Sequence, residues 1–320
     1  MLDTRFSHKD AKMQSIFAFV FAVIATLALT AFSSNVTAAT FVVNDTGDAV
    51  DASPGDGICA TAGAVCTLRA AISEANAFAG SDVITLPAGT YTTTIAGTNE
   101  DVNANGDYDI TSAITINGAG SGTTIIQANA APATGTERVF HIVTTAGVTV
   151  DINNVTVRNG NATGSTSGGG ISMTVASILN LTNVILTNNR VAPPTGNNAF
   201  GGGMIITAGT VTLTGCTVSN NAAVAVTPST TVFGFAGGIY NQQATLNIIN
   251  STVSGNTSTA FHGGIRTLAS TTAAATTNIT NSSVINNIAQ GLNGVGAEGE
   301  GGGITNIAGA AFAATTNITA

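Results

Sequence analysis

The chain has 320 residues, of which 38 are Gly, 44% are hydrophobic and only 8% are charged. Both Lys residues, Lys9 and Lys12, lie at its start, so the rest lacks the clustered cations that nucleic-acid phosphates demand. Coiled coil and disorder are excluded too, because Glu, Lys and Arg are scarce and a net charge of -8 is small for so apolar a chain.

Arg5, Lys9 and Lys12 precede an uncharged apolar run from Ile16 to Phe32, and small residues follow to Thr37-Ala38-Ala39. Basic start, apolar middle and small-residue end is the order of a secretory signal. The run is short for a membrane span of about 20 residues. Residues 1–39 are therefore expected to be a signal peptide, cleaved near Ala38 or Ala39. The mature chain is expected to be secreted or held at the cell surface, with no membrane span of its own. It keeps five Arg and fourteen acids, with ten acids between Asp45 and Asp109 and none from 152 to 297.

Residues 40–80 read as an N-terminal capping module. Export permits a disulfide between Cys59 and Cys66, which lie close in sequence. Cys216 reads as a small buried hydrophobe. From Thr67 to Ala79, Leu68, Ala71, Ile72 and Ala75 follow the spacing of one helix face. Thr67 can cap that helix and Gly80 can end it. A lone amphipathic helix ahead of many strands suggests a lid over a solenoid's open end.

Short β-branched runs follow at Val83–Leu86, Thr90–Ile95, Ala113–Ile116, Thr123–Ile126, Val139–Val143 and Val148–Val157. Two marks then recur. One is Gly-Gly before an apolar residue, at Ile171, Met204, Ile239, Ile265 and Ile304. The other is a strand ending in Asn, with Leu186, Val218, Val253 and Val284 spaced by 32, 35 and 31. Segments between the marks vary less than the connections back, as in solenoids whose insertions collect on one side. Asn tolerates the left-handed backbone that tight corners need, and stacked Asn side chains can hydrogen-bond along the axis. The fold expected for 81–320 is all-β: a right-handed parallel β-helix behind a short capping helix. The sequence AATTNIT recurs at offset 39, equal to the step from Ile265 to Ile304. The chain is thus expected to stop inside a coil, with its C-terminal part missing here.

Cys66-Thr67-Leu68-Arg69-Ala70-Ala71-Ile72, followed by Glu74-Ala75-Asn76, resembles the CSLREA motif of bacterial exported proteins. The resemblance continues through Leu86–Tyr91, Asp101–Ile110, Ile116–Ile126 and Arg138–Ile142. Thr67 stands where the motif has Ser, and Ala70 where it has Glu. The resemblance implies a right-handed parallel β-helix of the pectin-lyase-like type, secreted or at the cell surface and often adhesin-like.

Asp101, Asn103, Asn105, Asp107 and Asp109 put oxygen ligands at alternate positions with Gly106 sixth, as in the first part of a calcium loop. Ser112 replaces the closing Glu, so a structural calcium ion would need a ligand from elsewhere, such as Glu100. The plainer reading is a polar turn between strands. Phe200, Phe235 and Phe261 read as a core or corner ladder rather than a sugar platform, since Phe lacks a polar edge. His262 and Arg266 read as surface decoration. Arg158 and Arg190 are candidate basic points for acidic sugars.

No catalytic cluster is legible. The expected function is a non-catalytic adhesive, matrix or structural role, with extracellular polysaccharide or cell-surface components as partners. The alternative is a polysaccharide lyase or glycosidase, but glycoside hydrolysis usually needs two carboxylates and the repeats offer none.

Overall fold

The computed structural model describes residues 37–320 except 99, 136, 166, 227–230 and 292–300. The expected signal falls almost wholly on 1–36, outside the described residues. Among the described residues no helix is long and apolar enough to cross a membrane.

The architecture is a parallel β-solenoid. Its broad face has nine strands in axial order: Thr40–Val42, Ser81–Leu86, Ala113–Gly118, Thr149–Asn153, Ile178–Thr182, Thr210–Thr214, Thr245–Ile249, Ala275–Thr280 and Ala314–Thr319. A second face has seven strands, from Tyr108–Ile110 through Phe140–Ile142 and Ile171–Met173 to Ile304–Ile307. A third face has seven, from Gly89–Thr92 to Ser283–Ile285. Five two-residue strands, from Asn161–Ala162 to Ile288–Ala289, fill the corner between the third and second faces.

Alternation explains which side chains enter the core. On the broad face Ile114 and Ile116, Val150 and Ile152, Leu179 and Leu181, Val211 and Leu213, and Leu246 and Ile248 point inward and are buried. Residues between them face outward, as period-two geometry requires. Both sequence marks are registers. Ile171, Met204, Ile239, Ile265 and Ile304 are partners on successive coils, and so are Leu186, Val218, Val253 and Val284. The offset of 39 pairs Ala275 with Ala314.

The Gly-Gly mark has a steric cause. A Cβ at Gly202 would lie 2.3 Å from the backbone of Ala222, so only Gly lets the chain pass that corner strand. The Asn mark divides its labour between two neighbours. Asn188, Asn220 and Asn286 take positive φ, and Gly255 does so in the remaining repeat. The next residues, Asn189, Asn221, Asn256 and Asn287, form a ladder in which each Nδ2 donates to the following Oδ1 at 2.8–3.0 Å.

Some expectations need correction. The run Val148–Val157 is two strands, broken where Asn154 turns to positive φ. Thr40–Val42 pairs with the stack inside the capping module, and Tyr108–Ile110 is a strand within the supposed calcium loop.

Helix α1 spans Leu68–Ala77, with Thr67 as N-cap accepting from the Ala70 amide at 3.1 Å. It ends at Phe78 in extended conformation, so Gly80 is not its stop. Leu68, Ala71, Ile72 and Ala75 are buried in the same cluster as Ile84 and Ile110, which makes α1 the lid. Glu74 steadies it: its carboxylate accepts the amides of Gly55 and Gly57 at 2.6 and 2.5 Å. Cys59 and Cys66 are disulfide-bonded, with Cα atoms 5.2 Å apart. Reduction should lower the stability of the cap by about 2–3 kcal/mol, the chain entropy of so small a loop. Denaturant melts with and without dithiothreitol check this, and an unchanged midpoint would contradict it. Cys216 is buried and free.

Candidate functional site

The acids of the first coils divide among Arg69, Arg138 and His141. Arg69, on α1, is fully buried and donates from Nε to Asp48 Oδ1 at 2.6 Å. Its Nη2 donates to the Gly106 carbonyl at 2.8 Å, and its Nη1 to the Asp107 carbonyl at 3.0 Å. The guanidinium lies 4.8 Å from the Tyr108 ring centre. Asp48 Oδ2 also accepts the Thr94 and Ile95 amides at 2.6 and 2.9 Å. This pair clamps the segment that carries the proposed ligands onto the lid.

The five residues of the expected calcium loop do not share one direction. Asn103 has φ 60° and is fully buried. Its Nδ2 donates to the Arg69 carbonyl and to Ser73 Oγ at 3.0 and 2.9 Å. The amides of Val102 and Asn105 donate to Glu100, at 2.9 and 2.8 Å. Asp107 faces Arg138, with Oδ2 3.3 Å from Nε, and Glu137 shares that Nε at 3.2 Å. Asp101 and Asp109 turn instead to His141, whose Nδ1 lies 3.1 and 3.4 Å from their Oδ1 atoms.

His141 was not singled out as a site residue by sequence reasoning, and the signal that finds it is register. Asp109 and His141 are partners on adjacent strands of the second face, so their side chains leave the same side of the sheet about one strand spacing apart. Glu137 and Arg138 lie just before that strand, and both reach the site through the Arg138 guanidinium. Glu100, Asp101, Asp107, Glu137, Arg138 and His141 line a cavity of about 230 Å³. Glu137 also borders a neighbouring cavity of about 480 Å³ whose walls include Thr93, Thr94, Asn129 and Thr134.

Burial governs protonation here. Desolvation pushes the Asp107 carboxyl up to about 8; Arg138 opposes this, while Asp109 and Glu137 reinforce it. Desolvation raises Asp109 as well, against the nearby His141 and the hydrogen bond from the Asn103 amide. The Oδ1 of Asp109 and Oε2 of Glu137 are buried and accept no hydrogen bond.

Two other surfaces are defined by the coils. Phe200 and Phe235 stack with centroids 5.4 Å apart, and Phe235 and Phe261 at 5.5 Å. They form a half-buried ladder at a corner outside the main core. Arg266 is buried against it, 4.5 Å from the Phe235 ring centre and 5.0 Å from that of Tyr240. His262 is buried too. Neither is surface decoration, because the aromatic rings cover both.

The second surface is the outside of the broad face. One outward column runs Asp151, Asn180, Thr212, Asn247, Asn278, Asn317 in register. The columns beside it include Thr149, Thr210, Thr245, Thr276 and Thr315, and Thr182, Thr214, Thr280 and Thr319. The amides are tied along the axis: Asn278 donates to Asn247, and Asn317 to Asn278, each at 2.8 Å. Arg158 donates to Gln127, and Arg190 to Asn161. Comparisons of this chain with protein families, with curated proteins and with solved structures found no match.

Proposed function

We propose that this chain is an exported solenoid, secreted or at the cell surface, with a non-catalytic role in adhesion or matrix building. On this reading it is related to the CSLREA-motif proteins of pectin-lyase-like type. The observation that carries the role is the outward broad face. From Thr149 to Thr319 it is an array of hydroxyls and amides interrupted by Ile178 and Ile249, with Asp151 as its one carboxylate. Side chains already held by their neighbours lose little freedom on binding, which favours contact with an extended partner. A neutral extracellular polysaccharide, rich in hydroxyls and lacking charge, matches that chemistry. The disulfide and the signal-like order of residues 1–39 support export.

The test is sedimentation of the mature protein with insoluble neutral polysaccharides. Thr210→Lys together with Thr245→Lys should leave the fold intact, because both side chains point outward. Binding should weaken about tenfold or more, the equivalent of 1.4 kcal/mol. Undiminished binding by the double variant would remove the broad face as the contact.

A second reading, polysaccharide lyase or glycosidase, rests on the acid-lined cavity of the first coils. A carboxyl held protonated near neutral pH is what a general acid requires; Asp107 has that character and shares the Arg138 guanidinium with a second carboxyl, Glu137. Incubation with acidic and neutral polysaccharides, followed by mass spectrometry, separates the readings. Oligosaccharide release that Asp107→Asn abolishes would establish the enzyme. Binding without release supports the adhesive role.

A further inference from the structure

We propose that Asp101, Asp109 and His141 form a binding site for one divalent transition-metal ion, with Zn²⁺ as the best match to the donors. The site stands independently of the adhesive reading.

Geometry supplies the first argument. His141 Nδ1 lies 3.1 Å from Asp101 Oδ1 and 3.4 Å from Asp109 Oδ1, and all three donor atoms lie within 4.8 Å of one another. Around a tetrahedral ion with bonds of about 2.0–2.2 Å, neighbouring donors are about 3.3–3.6 Å apart. The observed separations are close to the edges of such a polyhedron.

Unmet bonding supplies the second, independent argument. Asp109 is fully buried, and its Oδ1 accepts no hydrogen bond. Nδ1 of a single imidazole carries at most one hydrogen and cannot serve two carboxylates. A cation satisfies both oxygens and the nitrogen together. The other oxygen of Asp109 accepts the Asn103 amide at 3.1 Å, which fixes the carboxylate in the manner of an outer-shell partner. Asp101 is exposed, with 68% of its side chain accessible, so it can close on an ion entering from solvent. The remaining positions open on the cavity of about 230 Å³, which leaves room for water ligands.

The donor set selects the ion. Imidazole nitrogen suits Zn²⁺ and its neighbours, whereas Ca²⁺ takes oxygen ligands. An ion here would tie the Glu100–Asp107 segment to the strand Phe140–Ile142, joining neighbouring coils beside the lid.

The experiment is titration of the full mature chain with Zn²⁺ against a competing chelator, together with hydrogen exchange over residues 95–110. The variants are Asp101→Asn, at an exposed position, and His141→Gln, which keeps a polar side chain. One Zn²⁺ should bind per chain, and it should slow exchange in that segment. Each variant should weaken binding about tenfold or more, with unaltered circular dichroism. Zn²⁺ uptake equal in the wild type and both variants would overturn the site. So would protection given by Ca²⁺ but not Zn²⁺ and insensitive to His141→Gln, which would return the ion to an all-oxygen loop.

Discussion

Replacing Arg69 by Met should strip the N-terminal cap from the solenoid while leaving the distant coils folded. The guanidinium is fully buried, pairs with Asp48, and serves the Gly106 and Asp107 carbonyls. Removing one partner of a buried ion pair costs about 3–5 kcal/mol, because the other charge stays buried without compensation. Asp48 keeps only the Thr94 and Ile95 amides, and the two carbonyls lose their donors. The damage should remain local, since each coil of a solenoid contacts only its neighbours. Hydrogen exchange should rise across residues 44–110 and stay unchanged across 204–280. Adding Asp48→Asn should recover part of the loss, because no uncompensated charge then remains. Normal protection of residues 44–110 in Arg69→Met would show that the clamp is not needed.

That clamp also explains why the fold was far more legible than the site. The solenoid repeats its corners, so Gly-Gly and Asn-ended strands recur at intervals that become registers. The steric reason is local: Gly202 must pass the Ala222 backbone, and Asn220 must turn left-handed. The site repeats nothing. Asp101 to Asp109 alternate with other residues, and alternation describes a strand as well as a ligand loop. Tyr108–Ile110 took the strand, and Asn103 turned inward to the Arg69 carbonyl. The partner of Asp109 comes from the next coil, so no local motif contains it. His262 and Arg266 misled for a related reason. Their burial is made by Phe235, Phe261 and Tyr240, and Phe235 and Tyr240 belong to the preceding coil.

Asn221→Ala should strongly destabilise the repeats. The Asn221 Oδ1 accepts the Asn189 backbone amide at 2.9 Å and its Nδ2 at 3.0 Å. The Asn221 Nδ2 donates to the Leu186 carbonyl at 2.9 Å and to Asn256 Oδ1 at 2.9 Å. Leu186, Asn189, Asn221 and Asn256 are buried, so water cannot replace these bonds. Alanine orphans the Asn189 amide and takes the side-chain donor from the Leu186 carbonyl. At about 1–3 kcal/mol for each of these two buried groups, the loss is about 2–6 kcal/mol. Asn221→Asp distinguishes lost bonding from lost volume. When ionised it keeps an acceptor for Asn189 but loses both donations and buries a charge facing Asn256 Oδ1; when protonated it regains one donor. Burial raises the folded-state pKa of that carboxyl above its unfolded value of about 3.9. The folded chain then binds the extra proton, so stability is greatest below about pH 4 and falls as pH rises above it. Urea melts at pH 4 and pH 7 should therefore show Asn221→Asp nearer to wild type at the lower pH than at the higher. A pH-independent difference would mean that the ladder acts through packing alone. Exchange at the Asn189 amide reads the same event directly, because its acceptor in the fold is the side chain being replaced.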